Sequence, residues 1–414
     1  MECYFRRRRV LKTLLSFFFV VGTVVTIHKL KMADERLKRT EQTLRVASGL
    51  LPQSENTFWK SNSLSYNNSA SASLLEGAAV GSFLNTSNLT SSVWDIRRQQ
   101  CFENSSLKAQ DWFKRLDVRF QQYVLYRHCR YFPMLHNHPE KCQGDIYLLI
   151  VIKSMTEQHD RREAIRKTWG KEQNVYGKKI RTLFLLGIPS MGKDVRNLQQ
   201  LIEYEDRLYG DILQWDFMDT FFNLTLKEIN FLRWFSIYCH QVQFIFKGDD
   251  DIFLHTKNLL DFIDFKKDHN KVSNLFIGDT IAKAIPIRSR QSKYYVPKEL
   301  YDNKLYPIYA GGGGFLMAST LAKKLFTVSE EIQLYPIDDV FLGMCLQKIG
   351  VLPEPHPGFK TFGIVKRKNS AMNNDPCLYR GLLVVHKLSP EELLKMWETV
   401  HHGTIICAKS FHII

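Results

Sequence analysis

The stretch Ile146 to Lys153 reads IYLLIVIK, apolar at every position but the last. A strand with one wet face would alternate apolar and polar residues, so an unbroken run this short predicts a parallel strand covered on both faces. The chain beyond it alternates in kind. Arg162 to Gly170, REAIRKTWG, reads as a short helix, and Lys179 to Gly187, KIRTLFLLG, as a second strand. Asp194 to Gly210, DVRNLQQLIEYEDRLYG, predicts a helix that stops at its glycine; DILQWDF, Asp211 to Phe217, a third strand; NLTLKEINFLRWFSIY, Asn223 to Tyr238, a third helix. VQFIFKGDDD, Val242 to Asp251, is a fourth strand that ends in three acids. The alternation predicts an open α/β sheet, whose ligand crevice lies at the C-terminal ends of its strands.

The triplet Asp249, Asp250 and Asp251 therefore falls where a ligand is expected. Alternation in an extended segment turns Asp249 and Asp251 to one side and Asp250 to the other. Two carboxylates so close repel unless a cation lies between them, and their oxygens suit Mg²⁺ or Mn²⁺, which also accept phosphate oxygens. The plain alternative is a solvated acidic turn, or a cap for a helix beginning near Thr256. A second acidic pair, Asp338 and Asp339, opens a predicted helix in LYPIDDVFLGMCLQKIG, Leu334 to Gly350. One acid there serves as an N-cap worth about 1 kcal/mol; the other can accept the proton of an attacking hydroxyl. Between the pairs lies YAGGGGFLMAS, Tyr309 to Ser319. Consecutive glycines are entropically costly and are expected where the backbone turns tightly or approaches a ligand.

Neither GxGxxG nor GxxxxGK[ST] occurs, so a bound diphosphate would need neutralising by something other than a glycine-rich nest. The net charge of +15 is concentrated at the start: residues 1–40 hold ten Lys or Arg against three acids and account for +7 of it. The remainder carries no basic stripe with interleaved aromatics, which excludes a nucleic-acid module. Arg6 to Arg9 precede Val10 to Ile27, whose only charge is Lys12. That run is just long enough to span a bilayer, and the bulky basic exit IHKLKM lacks a small-residue cleavage site, which favours an uncleaved anchor over a signal peptide. Asn-x-Ser/Thr occurs at Asn67, Asn85, Asn88, Asn104 and Asn223, the first three in a Ser/Asn-rich stretch that reads as a glycosylated stalk. Of eight cysteines, Cys3 precedes the anchor and seven follow it, so at least one of the seven stays free or pairs between chains.

Taken together, RREAIRKTWG, FLRWF, FKGDDDIF, FIGD, YAGGGGF, YPIDDVFLGMCL and LVVH resemble the β-1,3-glycosyltransferase family from about Cys129 to Val400. The resemblance implies inverting, single-pass type II enzymes of the Golgi membrane with one lumenal nucleotide-diphospho-sugar transferase domain of the GT-A type. The fold implied is a mixed, mostly parallel sheet flanked by helices, after a transmembrane anchor and a stem. The expected division is a cytoplasmic tail 1–9, a signal-anchor 10–28, a glycosylated stem 29–110 and a catalytic domain 111–414. Galactosyl-transferring members usually carry Cys, Ser and Thr around the glycines and Glu-Asp-Val at the later pair. YAGGGGF and IDDVF instead resemble the N-acetylglucosaminyltransferase branch, and LPEPHPGFKTFGI, DPCLYR and VVHKLS the keratan-sulfate or poly-N-acetyllactosamine-extending type.

The family's site implies Asp251 and His386 as ligands of Mn²⁺, with Mg²⁺ the alternative, and Asp339 as the general base. It implies Lys153, Arg162, Arg166, Asp249, Asp250, Gly312 and Gly313 around the donor UDP-GlcNAc, with Arg161 the alternative to Arg162. By pattern alone the arginines are equally solvated helix faces, and His386 a strand-end residue. The partners implied are glycan acceptors ending in β-galactose, on glycoproteins or keratan-type chains, the Golgi membrane, and homo- or hetero-oligomers with other glycosyltransferases. The rival readings are a β-1,3-galactosyltransferase and a non-catalytic Golgi lectin or partner of a related transferase.

Overall fold

A computed structural model describes residues 93–98, 101–189, 195–269, 272–365, 370–403 and 406–407. The expected tail and anchor and most of the expected stem lie outside these residues. Among the described residues no helix is long and apolar enough to cross a membrane.

The chain builds β1 (Met134–His136), β2 (Ile146–Lys153), α1 (His159–Lys167), β3 (Gln173–Val175), β4 (Lys178–Ile188), α2 (Val195–Tyr209) and β5 (Ile212–Met218). It continues through α3 (Leu224–Tyr238), β6 (Val242–Asp249), β7 (Ile252–Leu254), α4 (Thr256–Asp268), β8 (Phe276–Ile281) and β9 (Tyr309–Ala318). After these come α5 (Ser319–Ser329), α6 (Asp338–Lys348), β10 (Glu354–Pro355), β11 (Phe359–Lys360), β12 (Val384–His386) and α7 (Pro390–His402). The large sheet has the order β1-β5-β4-β2-β6-β9-β8-β10, with β3 beside β4. β5, β4, β2 and β6 run parallel, while β9 lies antiparallel between β6 and β8. This is a mixed α/β fold with a parallel centre flanked by helices.

All eight residues of β2 are buried, as its unbroken apolar run requires. Leu149 and Val151 pack on one face with Phe231 and Trp234 of α3, Leu325 of α5 and Phe341 of α6. Leu148, Ile150 and Ile152 pack on the other with Ile165 of α1, Ile202 of α2 and Leu259 of α4. α2 stops at Gly210, whose φ of +57° is left-handed and is the conformation glycine reaches at least cost. Register sets Lys153, the last residue of β2, against Asp249, the last of β6, so two central strands deliver a cation and an anion side by side.

A second sheet, β11-β12-β7, was not legible in the sequence. β12 runs antiparallel to β7 and pairs His386 with Ile252, which brings the end of the chain to the acidic triplet. The tetraglycine segment lies within the strand β9 and forms no tight turn.

Disulfides join Cys101 to Cys129, Cys142 to Cys239 and Cys377 to Cys407. The leftover thiol is the buried Cys345, whose pKa burial pushes up to about 12. Trp94 packs on Trp215, and its indole N–H donates to the Phe132 carbonyl at 3.0 Å. The sequon at Asn223 is closed by the fold: Asn223 is 2% exposed and its amide donates to the Met218 carbonyl at 2.8 Å.

Candidate active site

At the C-terminal ends of β2 and β6 the side chains sort as extended geometry dictates. Asp249 closes β6, and Asp250 and Asp251 form the turn into β7. Asp249, Asp251 and His386 offer ligand atoms that all lie within 4.8 Å of one another. His386 Nε2 is 2.8 Å from Asp251 Oδ1 and 3.6 Å from Asp249 Oδ2. Its Nδ1 lies 2.9 Å from the Thr361 carbonyl, which can only accept, so the Nδ1–H donates and Nε2 is left facing the carboxylates. Burial pushes the His386 pKa down, but the hydrogen bond to Asp251 and the charges of Asp251 and Asp249 outweigh it and the pKa is raised. Two carboxylates and an oriented imidazole are a donor set that fits Mn²⁺ or Mg²⁺.

Asp250 turns away, as alternation predicts. It accepts from Ser154 Oγ at 2.7 Å and lies 3.3 Å from Arg161 Nη1, and burial pushes its pKa up to about 6. Arg161 also reaches Asp251 at 3.5 Å and is the guanidinium at the acids.

The assignment of Arg162 and Arg166 to the donor is corrected by their packing. Arg162 is fully buried, with a two-pronged ion pair to Glu205 at 2.7 Å on each prong and a hydrogen bond to Ser154 Oγ at 3.1 Å. Arg166 pairs with Asp211 at 2.8 Å through two nitrogens and stacks over Phe184 and Tyr209. Both guanidiniums fasten α1 to α2 and the start of β5. Neither is free to meet a diphosphate.

Lys153 sits among three carboxylates, 2.6 Å from Asp338, 3.1 Å from Asp249 and 4.0 Å from Asp339. Burial alone would lower its pKa, but those charges outweigh burial and it stays an ammonium. The expectation that one acid of the later pair caps its helix is also corrected. The N-cap is Ile337, and Asp338 is the first helical residue, 5% exposed and committed to Lys153. Asp339 accepts from the Gly312 N–H at 2.8 Å and keeps its side chain 21% exposed, enough for one oxygen to meet a hydroxyl. Burial and the adjacent charge of Asp338 raise its pKa well above the carboxylate range, while Lys153 draws that of Asp338 below it.

The glycines have a packing reason. A Cβ on Gly312 would stand 2.9 Å from Asp339 Oδ1, and one on Gly313 2.9 Å from His386 Cγ. Their missing side chains admit the two site residues against the backbone of β9. Ser154, Thr361 and Lys387 complete the surroundings, and sequence reasoning missed all three. Ser154 carried one signal, its place directly after a strand that ends in a crevice; Thr361 acts through its carbonyl and carried none. A cavity of about 1080 Å³ opens beside Asp251 and His386, lined also by Arg161, Phe362, Asn373 and Lys387.

Residues 160–357 match a family profile described as Galactosyltransferase. The chain is 55% identical over 325 residues to UDP-GlcNAc:betaGal beta-1,3-N-acetylglucosaminyltransferase 7 of Rattus norvegicus, covering 78% of this chain and 81% of that one. It is 42% identical to human N-acetyllactosaminide beta-1,3-N-acetylglucosaminyltransferase 3, over 76% of this chain and 84% of the relative. Human UDP-GlcNAc:betaGal beta-1,3-N-acetylglucosaminyltransferase 9 is 45% identical, over 69% and 75%.

Proposed function

The chain belongs to the β-1,3-glycosyltransferase family, in which these N-acetylglucosaminyltransferases stand, and we propose that it moves N-acetylglucosamine from UDP-GlcNAc in β-1,3 linkage onto a terminal β-galactose. The observation that carries this reading is the convergence of Asp249, Asp251 and His386 on one side of Lys153 and of Asp338 and Asp339 on the other. A lectin would need a cleft but not two clusters of carboxylates joined through one buried ammonium.

In the mechanism proposed, Asp339 takes the proton from the acceptor's 3-hydroxyl, held in place by the Gly312 N–H. The hydroxyl oxygen attacks the anomeric carbon opposite the departing UDP, so the configuration inverts from α to β without a covalent intermediate. Lys153 holds Asp249 and Asp338 together and so fixes the two acid clusters relative to each other. Mn²⁺ held by Asp249, Asp251 and His386 would supply charge neutralisation for that diphosphate.

The finer parts of the reading rest on sequence. The domain is of the GT-A type, held in the Golgi lumen by a signal-anchor at residues 10–28 and a stem carrying the Asn67, Asn85 and Asn88 sequons. The acceptors are N-acetyllactosamine-type glycans of glycoproteins or keratan-type chains, supported by the branch features YAGGGGF and IDDVF. The test is to express the chain from about residue 40 in a glycosylating host and offer it UDP-GlcNAc and UDP-galactose with a β-galactose-terminated acceptor. A β-1,3-linked N-acetylglucosamine product that disappears with a chelator is the expected result. Preferred transfer of galactose, or full-rate transfer in the chelator, would overturn the donor or the metal assignment respectively.

A further inference from the structure

The bound nucleotide needs a cation that no glycine-rich loop replaces, and the cations nearest the acids are already spent. Arg161 is held by Asp250 and Asp251, Lys153 by Asp249 and Asp338, and Arg162 by Glu205. Lys387 differs. It is exposed, it makes no ion pair with a carboxylate among the described residues, and it lines the same cavity as Arg161, Asp251 and His386. Its ammonium stands 5.6 Å from the ring centroid of Phe362, on the wall of that cavity.

Its backbone is as informative as its side chain. Beyond the His386–Ile252 pair, the N–H groups of Lys387 and Leu388 both donate to the Asp251 carbonyl, at 2.8 and 2.9 Å. Two consecutive donors on one opposing carbonyl mark a β-bulge, a device that ends pairing and re-aims a side chain. The φ of Lys387 is +80°, a left-handed conformation that glycine adopts freely and a long side chain adopts at a cost. Two other described residues besides glycine have a left-handed φ, Tyr176 and Lys283. Tyr176 lies in the turn between β3 and β4 beside Gly177, and Lys283 lines a different cavity. A glycine at 387 would build the same bulge with less strain, so the strain is retained for what the side chain does.

We propose that Lys387 is a phosphate-contacting residue of the donor site, presented into the cavity by a bulge that also fixes Asp251 beside His386. The proposal rests on the reading of the site as one for a nucleoside diphosphate sugar. An ammonium on a flexible stem suits a diphosphate oxygen as a point charge.

The test uses the lumenal chain with Mn²⁺ present and measures calorimetric binding of UDP and of uridine to wild type, Lys387→Gly and Lys387→Arg. Mn²⁺ affinity and thermal melting are measured alongside. Lys387→Gly keeps the bulge, so it is expected to melt no lower than wild type and to bind Mn²⁺ and uridine equally well. Its UDP affinity should fall roughly tenfold or more, the worth of a hydrogen bond to a charged group. Lys387→Arg should regain most of that loss, and the gap should narrow as salt rises. Equal UDP affinity in wild type and Lys387→Gly would overturn the proposal. A matching loss of Mn²⁺ affinity in Lys387→Gly would move the effect to the backbone and overturn the side-chain role. A wild type that binds no UDP at all would remove the donor reading itself, and the proposal with it.

Discussion

The acids at the end of β6 converge on an imidazole, whereas those at the start of α6 converge on an ammonium. In the first cluster, strand alternation turns Asp249 and Asp251 toward His386 and sends Asp250 to Ser154 and Arg161. In the second, successive helical residues point about 100° apart, so Asp338 is buried against Lys153 while Asp339 faces the glycines of β9. Each cluster thus spends one acid on structure and frees another for chemistry. The difference lies in what surrounds the freed acid. Asp251 has an imidazole and a guanidinium beside it and its pKa is lowered; Asp339 has a fellow carboxylate beside it and its pKa is raised. One site is built to hold a cation, the other to hold a proton.

The largest expected effect breaks the proton-holding side alone. Asp339→Asn keeps its size and a contact to Gly312 but cannot accept a proton at neutral pH. Transfer should fall by roughly 10²- to 10⁴-fold with UDP affinity near that of wild type, read by initial rates and calorimetry on one preparation. Turnover near the wild-type rate would mean that the proton leaves elsewhere.

Asp251→Asn probes the cation-holding side and should move both quantities. Loss of an outer partner already costs metal sites about 10- to 100-fold, so a direct ligand should cost at least about tenfold in Mn²⁺ affinity, with UDP affinity falling in parallel. If UDP binding survived while Mn²⁺ binding fell, the two clusters would not divide the work as drawn.

What the sequence disclosed of this arrangement depends on how local each signal was. β2, β4, β5 and β6 and the helices between them were legible from unbroken apolar runs and helical periodicity, and the split of Asp250 from Asp249 and Asp251 from alternation alone. The small sheet was not. Its strands are two or three residues long, too short for a period, and it joins His386 to Ile252 across more than a hundred residues, so His386 was reached only through family resemblance. The choice between Arg161 and Arg162 was not legible: Arg161, four residues before the buried Ile165, shares a helical face with Arg162, three before it, and only Glu205 arriving from α2 separates them. Asp338 was misread as a cap because a sequence cannot show Lys153 arriving from a strand 185 residues away.

That burial changes what Asp338→Asn should do. A capping acid would tolerate an amide. An acid paired with a buried ammonium does not, and breaking such a pair costs roughly 3–5 kcal/mol when one charge is left alone. Asp249 still stands 3.1 Å from Lys153, so a smaller loss of about 2 kcal/mol is expected, read as a lowered melting temperature. An unchanged melting temperature would make the Lys153–Asp338 contact incidental.

The smallest effect sharpens the comparison most, because it asks whether the two members of one pair feel each other. The base must be unprotonated to act, and burial and the charge of Asp338 raise the pKa of Asp339. Transfer should therefore be fully present above that raised pKa and lost as pH falls through it, at a pH above the ordinary carboxylate value of about 4. Asp338→Asn removes the charge of Asp338 and leaves burial and the weaker effect of Asp249 in place. It also leaves Lys153 with one anion fewer, which draws the ammonium's field toward Asp339. Both changes lower the pKa of Asp339, so the acidic limb of the kcat profile should move to lower pH at saturating donor. The amount should be less than a full return to the ordinary value, because burial persists. A limb that stayed in place, in a variant shown by circular dichroism to be folded across the range, would mean that the group titrating in the profile lies outside this pair. A limb that moved upward would contradict the charge argument outright, since no neighbour of Asp339 becomes more negative in that variant.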